Sequence, residues 1–105
     1  MVKETLFERD FCKELRQLAL GEVIVLKNAS AFVQGIPDRQ VIYRDKFVML
    51  EFKRAKDAKQ QANQSWYINH FNKHGLAMFV EPGNAVEVMN EVCSYLGLQN
   101  HSKYK

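Results

Sequence analysis

The chain has 105 residues and a mass of 12.2 kDa, is 47% hydrophobic and 26% charged, and carries a net charge of +3. That is enough for one core and not for two, and the chain is too apolar and too weakly charged for intrinsic disorder. No apolar run approaches the roughly 20 residues that a membrane helix needs, and the opening MVKETLFERDF has scattered acids and no apolar core, which excludes a signal peptide. Cys12 and Cys93 both fall in helix-like stretches without metal-ligand spacing. They predict reduced thiols, no zinc knuckle and a cytoplasmic protein.

In chain order, Phe7, Phe11, Leu15 and Leu18 form one stripe of an amphipathic helix that Gly21 stops. Glu22 to Lys27 is short, β-branched and apolar, and reads as a buried strand. A loop follows, and Pro37 forces Ile36 into an extended conformation. Gln40 to Tyr43 and Phe47 to Lys53 read as an antiparallel hairpin turned by Arg44, Asp45 and Lys46. In the second of these strands Phe47, Met49, Glu51 and Lys53 share one face, and Val48, Leu50 and Phe52 share the other.

A helix is expected from about Asp57 to His74, closed by Gly75, with Gln60, Gln64, Tyr67, Ile68 and Phe71 on one stripe. Leu76 to Val80 is a further strand. Pro82, Gly83 and Asn84 then turn into a last helix, capped by Asn84, with Val86, Met89, Cys93 and Leu96 facing inward. The polar tail beyond Gly97 is expected to fray. Strand, helix and strand over 47–80 make a right-handed parallel crossover. The fold class is therefore α/β, a mixed sheet flanked by helices on both faces, in the order α-β-β-β-α-β-α.

The chemistry gathers on the hairpin. Thirteen residues separate Asp38 from Glu51, so a tight hairpin brings both carboxylates to one end of the sheet, with Lys53 beside Glu51 on the same face. Two adjacent carboxylates repel unless a cation joins them, and a hard divalent ion is the natural third party. Lys53 beside that ion would hold an attacking water or neutralise charge on a phosphate. Alternating charges on a strand usually face water. Here, however, the face is apolar along half its length and charged only at its end, which marks a site. Gln64 heads the inward stripe of its helix near Lys53, and a glutamine aimed inward needs a partner, side chain or backbone.

Between Arg39 and Lys59 stand seven bases and three acids, a net +4 that leaves −1 for the rest of the chain. Arg39, Arg54, Lys56 and Lys59 flank the proposed site and are candidate contacts to backbone phosphates. His70 and His74 have zinc-site spacing but no third ligand, and are expected on a solvated face. Trp66 is a candidate for stacking on a base, although a tryptophan on a helix flank is more often partly buried packing. No glycine-rich phosphate loop and no serine or cysteine triad can be assembled.

The run Gly35-Ile36-Pro37-Asp38-Arg39, followed by Phe47-Val48-Met49-Leu50-Glu51-Phe52-Lys53-Arg54, resembles the virus-type replication-repair nuclease (VRR-NUC) domain of the PD-(D/E)XK superfamily. The resemblance extends over residues 7 to 96. It includes an acid in the first helix, met by Glu8, and a glutamine with a nearby aromatic residue and a closing glycine, met by Gln64, Trp66, Tyr67 and Gly75. Glu4 competes with Glu8, and Gln60 and Gln61 compete with Gln64, for these outer positions. The segment 54–61 lacks the Pro and Gly usual in the family.

The resemblance implies a restriction-endonuclease-like core. It implies that Asp38, Glu51 and the Phe52 carbonyl bind Mg²⁺ or Mn²⁺, and that Lys53 positions the nucleophilic water. Glu8 would serve a second ion or a metal-bound water, and Gln64 would hold the water or the scissile phosphate. Lys27 and Ser30, between the first strand and the Asp38 loop, become candidate DNA contacts, with a plain strand-end lysine as the alternative for Lys27. The expected activity is metal-dependent hydrolysis of DNA phosphodiesters by a homodimer. At this size the expected substrate is branched DNA, a four-way junction or flap read by shape. The rival expectation is a non-catalytic nucleic-acid-binding module, or a subunit active only in a larger complex.

Overall fold

Period two in the strands and period 3.6 in the helices sort the apolar residues onto two faces of one sheet. The computed structural model describes residues 5–29, 33–55 and 63–105. The elements are α1 (Leu6–Leu18), β1 (Ile24–Lys27), β2 (Arg39–Tyr43), β3 (Lys46–Phe52), α2 (Gln64–Phe71), β4 (Leu76–Val80), a 3-10 turn (Pro82–Asn84) and α3 (Ala85–Leu96). The sheet runs β1-β2-β3-β4, with β1/β2 and β2/β3 antiparallel and β3/β4 parallel. This is the expected mixed α/β sheet with the expected crossover, interrupted only by the short 3-10 turn.

On one face, Phe11 and Leu15 of α1 and Val88, Met89, Val92 and Leu96 of α3 pack on Val41, Val48, Leu50 and Val80. On the other, Ile68 of α2 packs on Met49 and Ala77, flanked by Phe47, Phe71 and Phe79. The alternation expected along β3 is present, even residues toward α1 and α3 and odd residues toward α2. Both cysteines are buried and unpaired, and burial pushes the Cys12 thiol up to about 11, which keeps it protonated and inert. Among the described residues no helix is long and apolar enough to cross a membrane.

Several local expectations need correction. β1 is an exposed edge strand, not a buried one: Ile24 and Leu26 lie on the α2 face, but among the described residues α2 packs over β3 and β4. The hairpin turn has two residues, with Lys46 already paired to Tyr43 and Arg44 at a φ of 59°. The helix expected from Asp57 starts at Gln64, because Asn63 sits in the left-handed region at φ 73° and cannot continue a helical turn. Its proposed first turns, with Gln60 and Gln61, lie outside the described residues.

Asn84 does not cap α3 with its side chain. It turns back, its Oδ1 accepting from the Glu81 N–H and its Nδ2 donating to the Phe79 carbonyl, while the Glu81 carboxylate accepts from the Gly83 N–H. That turn sets the phase of α3, burying Ala85 and Val88 and leaving Val86 outside.

The tail does not fray. Tyr104 packs on Phe7 and Phe11 and donates its hydroxyl to Asp10, Lys103 pairs with Asp10 at 2.7 Å, and Asn100 and Ser102 close a hydrogen-bonded turn. One aromatic anchor and a turn suffice to tie these polar residues to α1. The Lys103 and Tyr104 bonds hold the Asp10 carboxyl below its usual range.

Gly75 closes the turn after α2, its N–H donating to the Phe71 carbonyl at 2.9 Å. A Cβ there would come within 2.9 Å of the tip of the Phe47 ring. Gly75→Ala is expected to cost about 1 kcal/mol, at the low end for overpacking because the half-exposed ring can swing. Urea unfolding checks it, and an unchanged midpoint would contradict the close contact.

Candidate active site

Four elements end at one place. β2 and β3 are paired up to Arg39 and Leu50, so Asp38 and Glu51 come next across the hairpin. The Asp38 N–H donates to Glu51 Oε1 at 3.1 Å, and the Phe52 N–H donates to Asp38 Oδ2 at 2.9 Å. These bonds lock each acid against the other's backbone. Asn28 ties the Asp38 loop to the end of β1, its N–H on the Asp38 carbonyl at 2.8 Å and its Nδ2 on the Pro37 carbonyl at 2.9 Å. The Lys53 N–H extends the parallel pairing to the Val80 carbonyl at 2.7 Å, fixing the backbone just past β3.

Gln64, the first residue of α2, is buried and bridges the two charged partners. Its Nε2 donates to Glu51 Oε2 at 2.7 Å, and its Oε1 accepts from Lys53 Nζ at 2.5 Å. The inward glutamine thus meets side chains. A cavity of about 390 Å³ opens beside this network, lined by Thr5, Glu8, Asp38, Glu51, Phe52, Lys53 and Arg54.

Burial sets the electrostatics. Desolvation and then the Asp38 charge push the Glu51 carboxyl up to about 8, against the pull of Lys53 and the Asp38 N–H. Burial also raises Asp38, opposed by the Phe52 N–H and by Lys27 and Lys53. Burial thus raises both carboxyls, and the Asp38 charge adds to the rise at Glu51, a strain that a cation between them would relieve.

The donor chemistry fits Mg²⁺ or Mn²⁺: hard carboxylate oxygens from Asp38 and Glu51, with Phe52 between Glu51 and Lys53 on the cavity wall. The set is lean. Among the described residues, no group of three or more His, Cys, Asp or Glu side chains is arranged to hold a metal.

Glu8 reaches the cavity because Thr5 caps α1, its Oγ1 accepting from the Glu8 N–H at 3.0 Å. Its Oε2 is bonded to Lys27 Nζ at 2.9 Å and Arg39 Nε at 2.7 Å. The geometry gives Glu8 the part of counter-ion to these two bases. Arg39, proposed as a phosphate contact, is buried against Glu8, whereas Lys27 keeps part of its side chain in solvent. Arg54 is exposed on the cavity wall. Glu4, Ser30, Lys56 and Lys59 lie outside the described residues. Sequence reading missed Thr5, although Thr5 and Glu8 have the spacing of a capping box. The role of Asn28 had no such signal.

His70 and His74 are exposed, as expected, but Trp66 is 59% exposed and not packed into the core. Comparison with protein-family models, curated proteins and solved structures finds no match to this chain.

Proposed function

We propose that this chain is a divalent-metal-dependent endonuclease that hydrolyses DNA phosphodiesters. One observation supports it above the rest: Asp38, Glu51 and Lys53 meet at a single cavity, with Gln64 bonded to both Glu51 and Lys53. A module that merely bound nucleic acid would gain nothing from buried carboxylates that repel phosphate.

Asp38 and Glu51, with the Phe52 carbonyl, would hold the ion. Mg²⁺ or Mn²⁺ bound there would supply the positive charge that polarises a phosphate and stabilises charge building on its oxygens. The Lys53 ammonium donates to the attacking water, and Gln64 keeps that ammonium at a fixed distance from Glu51. Arg54 and the solvent-reaching part of Lys27 attract the phosphate backbone without reading bases. Selection among DNAs then rests on shape, which favours branched substrates. A two-fold dimer would supply the two sites that symmetric cutting of a junction needs.

The test is a panel of labelled duplex, flap and four-way-junction DNAs, incubated with Mg²⁺, Mn²⁺ or EDTA. Cutting of the branched substrates that EDTA abolishes is the expected result. Binding without cutting under either ion would turn the reading toward a binding module or a subunit awaiting its complex.

A further inference from the structure

α2 carries on its outer face a row of rings that the cavity does not use. Trp66 is 59% exposed. The His70 ring lies parallel to the indole, with centroids 4.8 Å apart and planes inclined by 6°, and Tyr67 meets it edge-on at 5.0 Å. His74 follows one turn on, 5.5 Å from His70. Trp66, His70 and His74 share the i, i+4, i+8 face of the helix. From Gln64 to Gly75 the chain has His70, Lys73 and His74 and no acid.

An indole this open forgoes the burial that usually accounts for a tryptophan. His70 stacks on the indole and Tyr67 meets it at right angles, which fixes the ring's orientation while 59% of the residue stays exposed. A flat, oriented π-face on an acid-free helix is chemically suited to one kind of guest, a planar base on a polyanionic chain. The row also starts two residues beyond Gln64, which is bonded to Glu51 and Lys53 at the cavity.

We infer that the Trp66–His70 pair is a stacking surface for the base of an unpaired nucleotide held on the outer face of α2, the helix whose first residue reaches the cavity. This deepens the nuclease reading and rests on it, since it assigns the substrate unpaired nucleotides. Trp66 then discriminates single-stranded or branched DNA from plain duplex, whose bases are already stacked on one another.

The chain has one tryptophan, so its fluorescence reports Trp66 alone. In EDTA, where no hydrolysis interferes, oligothymidine is expected to quench that fluorescence, and an abasic oligonucleotide of equal length and charge is not. Trp66→Ala is expected to weaken oligothymidine binding about 10-fold, the worth of one base stacked on an aromatic ring, and Trp66→Tyr to restore most of it. Binding of blunt duplex should not change.

Equal quenching by the abasic strand, or unchanged oligothymidine affinity in Trp66→Ala, would overturn the inference. So would a wild-type dimer that Trp66→Ala converts to monomer at constant DNA affinity, which would make the row a protein interface. The nuclease reading stands or falls separately. Quenching without any metal-dependent cutting sinks the nuclease and leaves the stacking surface on a binding protein, and cutting without quenching sinks the stacking surface alone.

Discussion

Glu51→Gln is expected to abolish DNA cutting, by at least about 10²-fold, while making the metal-free protein more stable at alkaline pH. The carboxyl titrates near 4.5 when exposed and at about 8 when folded, so between these values the folded chain keeps a proton that the unfolded chain has released. Stability therefore falls as pH rises from about 4.5 to about 8, and the full penalty is present above that window. Glutamine has no proton to lose. Thermal unfolding in EDTA from pH 4 to pH 9 should show wild type and variant close together at the acid end and the variant ahead at the alkaline end. A wild-type protein that holds its Tm relative to the variant across that range would contradict the buried, Asp38-opposed carboxyl. The pairing of lost activity with gained stability marks an acid kept for chemistry, since a structural acid would move both the same way.

Lys53→Ala is the second large effect. Removing the ammonium that faces the attacking water is expected to slow cutting by about 10²–10⁴-fold under single turnover. DNA binding should hold within about 3-fold, because backbone contacts are spread over several bases. Its stability signature is the opposite of that of Glu51→Gln. Lys53 lowers the Glu51 proton affinity, so its loss leaves the carboxylate less compensated and the metal-free variant less stable near pH 8. Gln64 Oε1 would also lose its bond from the Lys53 ammonium. Wild-type cutting rates in Lys53→Ala would remove this lysine from the chemistry.

The meeting of the candidate residues was legible because two simple periodicities coincide there. The alternation along β3 put Glu51 and Lys53 at the charged end of an otherwise apolar face, and the hairpin spacing brought Asp38 across from Glu51. Gln64 was legible as an inward glutamine at a helix start, but its bridging of Glu51 and Lys53 was not, because that depends on how α2 is set against the sheet.

Other features were hidden for specific reasons. The β-branched run of β1 announces a strand without saying that its α2 face goes uncovered. Apolar spacing over Asp57 to His74 cannot sense the left-handed Asn63 that starts the helix late. Val86 and Val88 both fit an inner stripe, and only the Asn84–Glu81 turn chooses between them. Arg39 reads as an exposed base in a basic segment, yet Glu8, 31 residues earlier, draws it into the interior. In the tail a single tyrosine carries the packing, too little for a pattern in sequence to register.

The most direct measurement is single-turnover cutting of a labelled four-way junction with Mg²⁺ or Mn²⁺ by wild type and Asp38→Asn, with binding followed on the same samples. Asp38→Asn keeps the shape of the side chain and its acceptor for the Phe52 N–H while removing the charge. The expected result is cutting by wild type, and binding without cutting by the variant under either ion. Equal cutting by both would show that hydrolysis does not run through the Asp38–Glu51 cavity, and no cutting by wild type under either ion would contradict the nuclease itself.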